Sequence, residues 1–136
     1  IYDPLRQDNE QQSAHLAEAQ LSCWLTDSRV ARIKGWILAT QQHHCPADDQ
    51  DLAQILDIDR AILAAAPEVY LVYAQQIRQE YAHIEDERFQ YHRAEFLRQM
   101  LIRPHLFCTQ ILGTDADARA RQNIQHELAM LRSMAV

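Results

Sequence analysis

Along this chain apolar residues return at three- and four-residue spacing, interrupted by short polar runs that carry proline, aspartate or threonine. That is the period of amphipathic helices rather than strands. Asp8 is a natural N-cap with Gln11 three positions on, and the helix it opens is predicted to run through Ser13, Ala14, Ala17, Leu21 and Trp24. A second begins at Thr26 or Asp27, presents Val30, Ile33, Ile37 and Thr40 on one face, and ends near His43, His44 and Cys45 before Pro46. Asp48 or Asp49 caps a third, which runs out near residues 64–66, and Pro67 suits the first turn of a fourth with Tyr70, Tyr73, Ile77, Tyr81 and Ile84 on one side. A fifth, from near Asp86, groups Phe89, Phe96, Leu97 and Met100 with Arg93 among them. Pro104 stops it, and Thr114 with Asp117 opens a last helix containing Ile124, Leu128 and Leu131.

One position breaks the pattern of the third helix. Leu52, Ile55, Leu56, Ile62 and Leu63 form one apolar stripe, and Asp59 falls in its middle while Asp57 is expected to point the other way. A carboxylate on a core-facing stripe is expensive unless it is paired, hydrogen-bonded or bound to a metal, so Asp59 is the first candidate for chemistry. A buried salt bridge or helix cap is the structural alternative.

Composition agrees with helices. The chain has 136 residues, 48% of them hydrophobic, with two glycines and four prolines, which fits one all-α domain of about six helices over residues 1–136. A net charge of −6 without a concentrated basic run argues against a nonspecific nucleic-acid binder and leaves room for a small phosphorylated ligand. Cys23, Cys45 and Cys108 are odd in number with no close pair, so reduced thiols and a cytoplasmic location are expected. No secretory or membrane-spanning segment is visible. The first residue is Ile rather than Met, and upstream sequence is expected to be missing.

Two further polar features border apolar faces. His43 and His44 continue the row from Ile37 through Thr40 to a helix C-terminus, where imidazole can ligate a divalent metal or, protonated, hold phosphate. Cys45 beside them lacks a second Cys/His pair at zinc-finger spacing. Arg93 either pairs with a helix carboxylate such as Glu80 or offers its guanidinium fork to a phosphate. No Gly-rich phosphate loop or nucleophile elbow occurs.

Taken in order, Tyr2-Asp3-Pro4, Asp8-Asn9-Glu10 with Ser13-Ala14, Ile37-Leu38-Ala39-Thr40 leading into His43-His44, and Leu56-Asp57-Ile58-Asp59 form a series. With Arg78-Gln79-Glu80-Tyr81-Ala82-His83 and the run from Phe89 through Arg93 and Leu97 to Arg103-Pro104, this series resembles an uncharacterised family of predicted metal-dependent phosphohydrolases in the HD superfamily. The resemblance spans essentially the whole chain. It implies a helical HD-type fold and a divalent metal (Mn, Fe, Co, Ni, Zn or Mg) held by a histidine, a His-Asp doublet and a later aspartate. By position Asp59 would be that aspartate, and the histidine and doublet would precede Tyr2, outside the chain.

The same resemblance implies that Asp3 and Glu10 lie beside a metal-bound water as catalytic carboxylates, nucleotides being a reasonable substrate class; their place on apolar faces adds His43, His44 and Arg93 as expected contacts of the phosphate ester. Asn9 stands where a histidine for a second metal would be sought. Asp3 stabilising a turn and Glu10 favouring a helix start are the structural alternatives. The competing functional reading is a non-catalytic helical module that binds a ligand or recruits a protein.

Overall fold

The computed structural model describes residues 2–3 and 5–133; Pro4, part of the Tyr-Asp-Pro segment, lies outside the described residues. Among those residues the chain is all-helical: α1 (Asn9–Leu21), α2 (Asp27–Ala39), α3 (Gln50–Asp59), a 3-10 turn (Ala61–Ala64), α4 (Pro67–Glu80), α5 (Asp86–Leu101) and α6 (Ala116–Ser133). The fold class read from the sequence therefore holds. The chain divides into two compact units, Ile1–Leu56 and Asp57–Val136, with the division inside α3.

In the first unit α1 packs against α2, burying Ala14 and Val30, while Ile33, Ile37 and Thr40 are half-buried on the face expected for them. Both helices stop earlier than predicted. The Ser22 hydroxyl and the Ser22 N–H both donate to the Glu18 carbonyl, at 2.6 and 3.1 Å, and α1 ends at Leu21. Trp24 consequently falls in the connecting turn, 83% exposed, rather than on the helix. The Thr40 hydroxyl likewise bonds the Ile37 carbonyl, α2 ends at Ala39, and His43 takes a left-handed φ of 51°. Asp49 caps α3 as expected, its Oδ1 accepting the Leu52 N–H at 3.0 Å, and it also accepts from Trp36 Nε1.

The second unit holds the larger core. Ala116, Ala120, Ile124 and Leu128 recur every four residues on α6 and are buried together with Leu63, Ala64, Tyr70, Leu97, Met100, Leu106 and Phe107. Leu97 and Ile124 have no exposed surface, and burial of such a side chain contributes about 1.5–3 kcal/mol each.

Polar residues of α6 satisfy backbone carbonyls of other segments. Asn123 Nδ2 donates to the carbonyls of Leu63 and Ala65, both at 2.9 Å, and Arg119 donates to those of Ala64 and Leu112. Arg121 reaches the carbonyls of Leu101, Arg103 and Pro104, while Asp117 accepts the Leu106 N–H. Burial alone would raise the Asp117 pKa, but that N–H and Arg121 hold it below the usual carboxylate range. Phe96, expected in the core, is 52% exposed and instead covers the Arg93 guanidinium, 5.6 Å from ring centroid to Cζ.

Candidate functional site

The two aspartates of α3 have exchanged the roles read from the sequence. Asp57 is 1% exposed and Asp59 is exposed. The buried positions of α3 are Ala53, Leu56 and Asp57, which share one helical face at i, i+3 and i+4. The expected stripe had been extended through Ile62 and Leu63 as if the helix continued. It ends at Asp59, and the 3-10 turn after Arg60 rotates Leu63 and Ala64 into the core on a different phase.

Asp57 is fully committed. Its Oδ1 accepts the Cys108 N–H at 2.6 Å, and its Oδ2 accepts the Thr109 N–H at 2.7 Å and the Thr109 hydroxyl at 2.5 Å. Three donors converge on one buried carboxylate, which fixes the 105–112 loop to the start of the second unit.

Arg93 is buried as its place among Phe89, Leu97 and Met100 suggested, and it is an ion-pair residue. The partner is Glu127, not Glu80: Nε donates to Oε1 at 2.7 Å and Nη2 to Oε2 at 3.1 Å. The Tyr70 hydroxyl donates to the same Oε2 at 2.5 Å, so Tyr70, Arg93 and Glu127 form one buried network tying α4, α5 and α6 together. Burial would lower the Arg93 pKa, but the hydrogen bonds and charge of Glu127 raise it above the ordinary arginine value. The fork that could meet a phosphate is occupied by a carboxylate.

Burial, then the charge and hydrogen bond of Glu127, push the Tyr70 phenol well above its usual value. With the folded pKa raised, the stability from neutral Tyr70 is fully present below about pH 10 and is lost as pH rises beyond it. In an ultraviolet titration one of the five tyrosines should ionise only as the chain unfolds, and Tyr70→Phe should remove that step. Five tyrosines ionising together in the folded state would contradict the network.

In the first unit Asp3 forms an Asx turn, its Oδ1 accepting the Leu5 N–H at 2.9 Å. Asn9 staples this turn to α1: its Oδ1 accepts the Asp3 N–H and its Nδ2 donates to the Asp3 carbonyl, both at 2.9 Å. Asp8 stands at the N-cap position without a side-chain cap bond; hydrogen bonds from Arg6 and Gln12 hold its carboxyl down at about 2. Glu10 lies in the first turn of α1, where it favours the helix dipole. His43 and His44 follow the end of α2, His43 half-buried and His44 exposed.

Among the described residues no group of three His, Cys, Asp or Glu side chains could hold an ion. Asp59 sits exposed at the last residue of α3. Cys45 and Cys108 are disulfide-bonded, against the expectation of three reduced thiols, and Cys23 is exposed and free.

A ligand-sized cavity does exist in the second unit. Leu71, Ala74, Phe89, Met130 and Leu131 wall a space of about 310 Å³ between α4, α5 and α6, with Glu127 on one side and the Arg78–Asp86 ion pair on another. Arg78 lies over the Phe89 ring at 4.9 Å and donates to the carbonyls of Tyr81 and Ile84.

The sequence reading missed Glu127 and Asn123, yet the signal was there. Both sit beside Ile124 and Leu128 on the buried face of α6, the same polar-on-apolar pattern that drew attention to α3. No family model, no curated protein and no solved structure matches this chain.

Proposed function

We propose that residues 1–136 act as a non-catalytic helical module that binds a small molecule. The observation that carries this reading is the cavity between α4, α5 and α6, lined by Glu127, whose carboxylate is already paired with Arg93 and Tyr70, and by the paired Arg78 and Asp86. Pockets of this kind, mostly apolar with a few fixed polar groups and set between packed helices, are the usual place for small ligands. The residues first considered for chemistry support the same view. Asp3 shapes a turn, Arg93 neutralises Glu127, and Asp59 lies exposed at the last residue of α3.

The ordered motifs from Tyr2 to Pro104 favour a second reading, phosphoester hydrolysis in a protein that supplies the upstream histidine and His-Asp doublet of the HD superfamily. In that setting Asp59 is the ligand this chain contributes, and a nucleotide is a reasonable substrate. Among the described residues no helix is long and apolar enough to cross a membrane. The disulfide-bonded state of Cys45 and Cys108 favours an oxidising compartment over the cytoplasm read from the sequence.

The two readings separate in an assay, against phosphomonoesters and phosphodiesters with Mn, Co, Ni, Zn or Mg, of the chain joined to the upstream segment that the hydrolase reading requires. The binding reading expects no hydrolysis above the protein-free background. Turnover that depends on the metal and disappears in Asp59→Ala would overturn it.

A further inference from the structure

The cavity of the second unit has a chemistry that selects its occupant. Its volume of about 310 Å³ is at the small end of ligand sites, which run roughly 300–1,000 Å³. Leucine, alanine, phenylalanine and methionine side chains from three helices make most of its wall. The charged residues that line it come in neutralised sets. Glu127 accepts from Arg93 and Tyr70, while Arg78 pairs with Asp86 and caps two backbone carbonyls.

Neither set leaves a net charge to recruit an ion, and an anion inside would lose its hydration without gaining a counter-charge. The uncommitted polar character of the lining is neutral: Gln75 on α4 and Gln90 on α5 offer side-chain amides. An amide can both donate and accept, so it suits a carbonyl, amide or hydroxyl rather than a phosphate.

We infer that this cavity binds a neutral, largely aromatic or branched aliphatic molecule carrying one neutral hydrogen-bonding group. The inference rests on the binding-module reading and narrows its ligand class. The apolar body fills the space between Leu71, Ala74, Phe89 and Met130, and the polar end meets Gln75 or Gln90. Charged relatives of the same body are excluded because Glu127 and Arg78 are already spoken for by partners within the unit.

Naphthol and naphthyl phosphate make a matched pair of probes with the full 136-residue chain. Naphthol is expected to bind saturably, shifting the methyl resonances of Leu71, Met130 and Leu131, with naphthyl phosphate about tenfold weaker or more. Ala74→Phe should fill the cavity and weaken naphthol binding by a similar factor without lowering the melting temperature. Should that variant fail to fold, Met130→Trp, at a position 40% exposed, blocks the same space. No saturable shift, tighter binding of the phosphate ester, or unchanged affinity in the blocked chain overturns the inference. Metal-dependent cleavage of naphthyl phosphate would overturn the binding-module reading itself, whereas absence of both binding and cleavage removes only the ligand assignment.

Discussion

Replacing Asp57 by alanine is expected to lower the stability of the chain by about 3–5 kcal/mol, because two backbone N–H groups and a hydroxyl lose the buried carboxylate that accepts them. Each such donor left unsatisfied costs about 1–3 kcal/mol. Asp59→Ala, two residues on and exposed, should stay within about 1 kcal/mol, the range for an exposed charged side chain and its surface pairs. Urea unfolding of the two variants measures this directly, as a large fall in midpoint for Asp57→Ala at unchanged m-value. Equal losses, or a larger one for Asp59→Ala, would contradict the burial assigned to α3. Asp57→Asn should fall between, since the amide keeps one oxygen acceptor and turns its second terminal group into a donor facing donors.

The second large effect belongs to Arg93 and Glu127. Removing either partner leaves the other buried and unpaired, and Arg93→Ala or Glu127→Ala should each destabilise by about 3–5 kcal/mol. The double substitution should be far less than additive, with an interaction energy of up to about 3 kcal/mol in a double-mutant cycle. A triple change of Tyr70→Phe, Arg93→Met and Glu127→Leu conserves volume and removes every charge, so it should recover most of the lost stability. Additive single effects would mean that the three side chains do not act as one network.

Much of the helical layout was legible because it rests on local chemistry. Pro67 sets the start of α4 through its fixed φ, Asp49 sets that of α3 by accepting the Leu52 N–H, and Thr26 stands at the N-cap of α2 without a side-chain cap bond. Helix ends were less legible. Ser22 and Thr40 bond back to carbonyls of their own last turns, and whether a hydroxyl does so or faces water depends on tertiary setting.

The candidate site suffered most from one such end. Carrying the 3.6-residue period through Arg60 placed Asp59 in the core and turned Asp57 outward, and the stop at Asp59 reverses both. For Arg93 the sequence left an ion pair and a phosphate contact open, and the carboxylate it meets lies 34 positions away on α6. Helical spacing identifies neighbours within one helix and is silent about which helix packs alongside. The cavity between α4, α5 and α6 has the same character, since its walls come from three separate segments.

The most direct test of the proposal that these residues form a binding module is the melting temperature, titrated with manganese or zinc, of the chain joined to the upstream segment that the hydrolase reading requires. A specific site stabilises the folded state in proportion to the logarithm of metal concentration once it fills. The binding-module account predicts no saturable rise, in the parent chain or in Asp59→Ala. A concentration-dependent rise in the parent that is abolished in a folded Asp59→Ala variant would contradict it and return Asp59 to the place of a metal ligand.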